Sequence, residues 1–93
     1  MTTIPPDAVF GAASGLMGRE LPDGFFVYDP ASENVHVLNA PMRFIWETCD
    51  GTKTVAEIVA EVSEAAQLSV EDAAKDVYHI LLSLSANGLI HRI

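Results

Sequence analysis

Residues 38–54, LNAPMRFIWETCDGTKT, decide the fold, because they predict the end of a strand, a short helix, a turn and the start of a second helix. Asn39 is a candidate N-cap, whose side chain can accept a hydrogen bond from an unpaired N–H of the first turn. Pro41 falls in that turn, where its missing N–H costs little. Asp50 and Gly51 then end the helix, since glycine readily takes the left-handed conformation that follows a helix.

The short helix has an apolar stripe at the spacing i, i+3, i+4, i+7, formed by Met42, Ile45, Trp46 and Cys49. This stripe predicts core positions and a buried, unreactive Cys49. Thr54 and Glu57 form a capping-box pattern, which places the start of the next helix at residue 55.

Three predicted strands precede this stretch, at residues 16–20 (LMGRE), 25–29 (FFVYD) and 35–38 (VHVL). The turn signals Leu21-Pro22-Asp23-Gly24 and PASEN separate them and predict an antiparallel meander. No strand signal directly follows the third strand, so we expect it to be an edge. An edge strand presents unpaired N–H and C=O groups that favour pairing with another strand.

Two longer helices complete the pattern. One is predicted at 55–66, and the other begins at Ser69 and reaches Asn87 before Gly88. The predicted fold class is α+β and winged helix-turn-helix-like, with a three-stranded antiparallel sheet followed by three helices. Residues 1–15, which contain Pro5-Pro6 and the small-residue run GAASG, predict a flexible N-terminal tail. Residues 16–93 form the predicted domain.

Charge and hydropathy exclude several classes of function. The chain has 93 residues, five basic against thirteen acidic, and a net charge of −8. Affinity for nucleic acid depends on basic side chains that neutralise phosphates, so neither nucleic acid nor an anionic membrane surface is an expected partner. No apolar run reaches the roughly 20 residues of a membrane span, and the N-terminus lacks a secretory signal pattern. We therefore expect a cytoplasmic location.

The residues of chemical interest form no recognisable catalytic pattern. His36, His79 and His91 lack metal-ligand spacing, and one cysteine excludes an internal disulfide. No strand leads through a glycine-rich loop into a helix. The sequence therefore predicts no catalytic residue, no metal site and no cofactor.

A binding surface is the remaining expectation. The exposed third strand and the broad apolar face of the third helix would border a groove, where an extended peptide could add as a fourth strand. The candidate peptide-binding residues are Val35, His36, Val37, Leu38, Tyr78, Leu81 and Leu82.

Over residues 16–93 the sequence resembles the PqqD family. The resemblance is carried by VYDP, VHVLNAP, IWETCDGTKTVAEIVAEV, SVEDAAKDV and LSANGLI in this order and spacing. It implies a β3α3 winged-helix domain without activity of its own. Such a domain binds the leader of a ribosomally made precursor peptide and presents it to a modifying enzyme, such as a radical S-adenosylmethionine (SAM) enzyme, a cyclase or a leader peptidase. In related proteins the leader pairs with the third strand and contacts the third helix, which corresponds to residues 35–38 and 76–85 here.

Other functions stay open. The chain could be a structural subunit of a larger complex. A winged-helix DNA-binding regulator is disfavoured, because Val55–Ala66 contains no Arg, Lys, Asn or Gln to read bases. An acidic carrier protein would need an Asp-Ser-Leu attachment site, which is absent. An open strand edge also allows a homodimer.

Overall fold

The computed structural model describes residues 4–93 and contains three helices and two three-stranded antiparallel sheets. The strands are β1 (Val9–Ala12), β2 (Met17–Leu21), β3 (Gly24–Asp29), β4 (Asn34–Leu38), β5 (Asp50–Thr54) and β6 (Ile90–Arg92). The helices are α1 (Ala40–Thr48), α2 (Val55–Ala66) and α3 (Val70–Ala86). The predicted α+β class is confirmed, as are a three-stranded antiparallel sheet and the three helices that follow it.

The first sheet has the order β2-β3-β4 and is the predicted meander. In its register Met17 lies opposite Tyr28, and Tyr28 lies opposite Val35. β3 is the central strand. Within the described residues, β4 has a hydrogen-bonded strand on one side only, as expected for an edge.

The second sheet, with the order β5-β1-β6, was not predicted. Its central strand β1 lies inside the stretch 1–15 that the sequence assigns to a flexible tail, so the paired part of the fold begins earlier than expected. Phe10 is buried and anchors this strand, while Ala8 and Pro6 accept hydrogen bonds from the first two N–H groups of α2. β1 and β6 are only four and three residues long, and β5 is polar, so none of them has a clear strand pattern in the sequence. These strands form because distant segments pair. Residues 1–3 of the predicted tail lie outside the described residues.

The helix boundaries follow from the caps that the sequence contains. Asn39 accepts a hydrogen bond from the N–H of Met42, and Ser69 accepts one from Asp72. At α2, Thr54 and Glu57 make both bonds of a capping box. Each cap satisfies a backbone N–H that has no partner within its own helix.

One hydrophobic core joins the first sheet, the helices and β1. Its fully buried members include Val27 of β3, Ile45 of α1, and Ile58 of α2. α3 contributes a stripe at the expected helical spacing, formed by Ala73, Val77, Leu81 and Leu84. The core fixes α1 and α3 relative to the end of β4, which is where the candidate site lies.

Candidate functional site

The open edge of β4 is the first component of the site. In antiparallel pairing, alternate residues direct their N–H and C=O groups to opposite sides of the strand. Part of the β4 backbone bonds to β3, and the rest faces the open side. That side therefore offers donors and acceptors to an extended chain.

The side chains of β4 divide between two faces of the sheet. Val35 and Val37 lie on the outer face, 57% and 61% exposed. His36 and Leu38 lie on the inner face, where His36 is half-buried and Leu38 is buried. The Nε2 atom of His36 is buried without a hydrogen-bond partner among the described residues. A buried polar atom in this state is unusual, and it lies on the edge strand itself.

An apolar groove begins where β4 ends and is the second component. It has a volume of about 460 Å³ and lies between the N-terminal half of α1 and one flank of α3, with the end of α2 behind it. Its walls are Asn39, Pro41, Met42, Ile45, Val62, Ala66, Leu68, Asp76, His79, Ile80 and Ser83. Asn39 follows β4 directly, so one wall residue of the groove adjoins the C-terminal end of the strand.

The α3 residues predicted to bind a peptide do not line this groove. Leu81 is fully buried, Tyr78 is half-buried, and Leu82 is 46% exposed. At 100° per residue, Tyr78 and Leu82 lie across the core stripe from the groove side of the helix.

The groove side of α3 carries four other residues: Asp76, His79, Ile80 and Ser83. All four lie in the stretch 76–85 that the family resemblance assigns to leader contact, but none is among the individual candidate residues predicted from the sequence. Their spacing i, i+3, i+4, i+7 marks them as one face of a helix. Nothing in that spacing says which flank of the core stripe would face β4.

Basic side chains near the site are mostly paired. Arg43 contacts Glu47 at 2.7 Å and Glu20 at 3.2 Å, and its guanidinium lies 4.3 Å from the centre of the Phe25 ring. Hydrogen bonding to Glu47 is the main cause of the raised pKa of Arg43. Since these bonds satisfy its charge, Arg43 adds little positive potential for an incoming ligand.

Lys53 bonds to Glu61 at 2.8 Å, and this bond is the first cause of its raised pKa. Lys53 therefore does not offer a free cation either. Arg19 makes no ion pair with any of residues 4–93. Compared with Arg43 and Lys53, Arg19 thus has the charge most available to a partner.

The groups most often used in catalysis are scattered or shielded. Burial, with a smaller effect from Asp50, raises the pKa of the Cys49 thiol to about 11. Within residues 4–93, no three His, Cys, Asp or Glu side chains come together as a metal-binding group. No described helix is both long enough and apolar enough to cross a membrane.

Fold and groove together define a small α+β domain with an open strand edge beside an apolar groove. The sequence model of the family described as Coenzyme PQQ synthesis protein D (PqqD) matches residues 24–90. The chain therefore belongs to the PqqD family. No curated protein and no solved structure matches the chain.

Members of this family are non-catalytic accessory proteins that interact with a peptide and a modifying enzyme in PQQ biosynthesis. Membership places the chain in the biosynthesis of PQQ or of other ribosomally made and modified peptides. The matched region contains β3, β4 and all three helices, and hence the edge and the groove.

Proposed function

We propose that the chain is a non-catalytic adaptor that binds the leader of a ribosomally made precursor peptide by strand addition to β4. The supporting observation is that β4 is an edge strand and that Asn39, the residue directly after it, lines the apolar groove between α1 and α3. Backbone hydrogen bonds along β4 supply affinity, and the groove selects side chains.

The dimensions of the site fit a short peptide segment. A strand rises about 3.4 Å per residue, so the five residues of β4 pair with a leader segment of similar length. Alternate side chains of that segment point to the inner side of the sheet. Apolar anchors are therefore expected at alternate leader positions.

Holding the leader at one edge leaves the rest of the precursor free for a modifying enzyme. A radical SAM enzyme, a cyclase and a leader peptidase all fit this arrangement. We further propose that the domain is winged helix-turn-helix-like in fold and that it acts in the cytoplasm, where ribosomal precursors are made. Val35, His36, Val37 and Leu38 contact the leader, mainly through their backbone, and the groove side of α3 contacts it instead of Tyr78, Leu81 and Leu82.

The first test is an NMR titration of isotope-labelled protein with the leader of a precursor peptide encoded beside it. Saturable shifts in the β4 amides and in residues near Ile80 are expected. Saturable binding that leaves β4 unshifted would rule out strand addition at this edge. Absence of binding at high micromolar leader, with and without the modifying enzyme, would favour a structural subunit.

A pair of α3 variants tests the groove itself. Ile80→Ala removes apolar surface from the groove wall, while Leu82→Ala makes the same kind of truncation on the other flank. Burying a whole aliphatic side chain contributes about 1.5–3 kcal/mol. Ile80 is already partly buried and alanine keeps its Cβ, so we expect Ile80→Ala to lose about half of this and to weaken leader binding about tenfold. Leu82→Ala should keep the wild-type Kd. Equal effects in the two variants would contradict this location.

Proline substitutions test the backbone pairing. Neighbouring residues of a strand direct their N–H groups to opposite sides. Of the two variants Val35→Pro and His36→Pro, one therefore loses a backbone hydrogen bond to β3. The other loses an N–H directed at the leader, and an edge strand tolerates proline there. The variant that keeps its thermal stability should lose leader binding, and normal binding by that variant would exclude strand addition.

A further inference from the structure

The outer face of the first sheet is apolar although none of the described helices covers it. An antiparallel sheet usually has one face on the core and one polar face in water. Here the register brings seven larger side chains to the outer face: Met17, Arg19, Leu21, Phe26, Tyr28, Val35 and Val37. Met17 is 63% exposed and Tyr28 is 37% exposed. Most of this surface, the outer sheet face, is thus exposed to solvent.

The charge of the outer sheet face differs from that of the rest of the chain. The chain has a net charge of −8. Within residues 4–93, Arg19 is the one charged side chain that the strand register assigns to this face, and it is exposed. Its neighbour Glu20 points to the opposite side, where it pairs with Arg43. An apolar surface that carries an available cation fits a partner surface that is apolar with a carboxylate.

The size of the outer sheet face argues for a transient partner. Its exposed side chains leave on the order of 400 Å² open, comparable with the largest apolar patch of a typical monomer. A standard stable interface buries about 800 Å² on each partner. This face alone is therefore too small for a stable dimer.

The outer sheet face continues to the β4 edge, since Val35 and Val37 belong to both. A peptide strand added at β4 would alternate its side chains between the two faces of the sheet. Half of them would extend the outer sheet face beyond Val35 and Val37. The bound peptide would therefore bring the surface closer to the size of a specific interface.

We propose that the outer sheet face, completed by the outward side chains of the bound leader, is the docking surface for the enzyme that modifies the precursor. The enzyme surface that fits is apolar at its centre and carries a carboxylate opposite Arg19. The inference rests on the proposed function. The enzyme contacts the chain and the bound leader together. The leader therefore strengthens enzyme binding, and the enzyme strengthens leader binding by the same factor.

The test uses the full chain, the leader peptide and the modifying enzyme encoded beside it. Met17→Thr and Arg19→Glu alter β2, the strand farthest from the β4 edge. We expect both to keep the leader Kd within about twofold and to weaken enzyme binding to the chain–leader complex at least tenfold. Phe44→Thr is the matched control, because Phe44 is an exposed apolar residue on α1, away from this face. It should change neither affinity.

The outcomes distinguish failure of the leader-binding proposal from failure of the enzyme-docking proposal. If wild-type protein binds no leader, the proposed function fails. If leader binds normally but Met17→Thr and Arg19→Glu leave enzyme affinity unchanged, the docking surface is overturned alone. Sedimentation of the wild type, free and with the enzyme, adds a further check. A dimer that Met17→Thr dissociates would assign this face to a second copy and overturn the proposal.

Discussion

Leu81 and Leu82 are neighbours in α3 with opposite environments, the first fully buried and the second 46% exposed. Truncating a buried leucine removes its transfer free energy and leaves a cavity. We expect Leu81→Ala to lower the free energy of unfolding by about 2–5 kcal/mol, measured by urea denaturation.

Leu82→Ala is the control for this prediction, because surface substitutions usually change stability by about 0.5 kcal/mol or less. A similar loss in both variants would mean that the exposed flank of α3 is packed in solution. Leu82→Ala therefore serves as the control both in this stability measurement and in the leader titration.

Cys49 gives a prediction about pH. Burial raises its pKa from 9.0 to about 11, so the thiol favours its protonated form more strongly in the folded state than in the unfolded state. Below about pH 9 the thiol is protonated in both states, and its contribution to stability is fully present. Between pH 9 and about 11 the unfolded state loses the proton first, so stability falls as pH rises.

The measurement is the free energy of unfolding at several pH values for the wild type and for Cys49→Ala. All other ionisable groups are the same in both proteins, so the difference between the curves isolates the thiol. We expect the stability advantage of the wild type to shrink across this interval. A constant difference would contradict a shielded thiol, as would rapid labelling of Cys49 by a thiol reagent in the native protein at pH 8.

Among the helices and strands, α2 has a capping box in its first turn that contributes to the stability of the fold. The Thr54 hydroxyl accepts a bond from the Glu57 N–H at 3.2 Å, and the Glu57 carboxylate accepts one from the Thr54 N–H at 2.9 Å. Loss of a threonine cap costs about 0.5–2 kcal/mol, so Thr54→Ala should lower the free energy of unfolding by that amount. Chemical denaturation checks this value.

Thr48→Ala is the matched control, since Thr48 bonds to the Phe44 carbonyl within its own helix. Its loss should cost less than the loss of the cap. The hydrogen bonds from Thr54 also lower the pKa of Glu57. The stabilising effect of the Glu57 carboxylate is therefore present above its unfolded pKa and is lost as pH falls through the lower, folded one.

Elements with local signals were predictable, and elements that depend on distant pairing were not. The caps at Asn39, Thr54 and Ser69 fixed the helix starts, and alternating turn and β-formers fixed the meander. β5 has the sequence DGTKT and β6 has three residues, so neither carries a hydrophobic pattern of its own. Their strand geometry exists because β1 lies between them.

Only part of the candidate site could be predicted from the sequence. That β4 is an edge follows from the absence of a strand signal directly after it. The flank of α3 beside that edge depends on how α1 and α3 pack, which the period of one helix does not specify. Asp76, His79, Ile80 and Ser83 line the groove, whereas Tyr78 and Leu82 lie on the other flank of α3. Which flank contacts a peptide stays a prediction.

For the whole molecule, the net charge of −8 and the pairing of Arg43 and Lys53 predict a leader affinity that depends little on salt. Between about 0.1 M and about 1 M salt the Debye length falls from about 10 Å to about 3 Å. Calorimetric titration over this range should give a Kd that changes less than about threefold, because apolar anchors and backbone bonds are weakly screened. A steep loss of affinity would show that ion pairs dominate.

The position of β1 also governs the order in which the chain assembles. Phe10 pairs with Arg92, so this sheet must close a loop of almost the whole chain, while the meander and the helix pair α2–α3 form from near neighbours. Contacts between distant segments are entropically costly and form slowly. The sheet β5-β1-β6 should therefore be the last part to fold and the first to open. In hydrogen exchange, the amides of Ala12 and Ile93 should lose protection before those of α3.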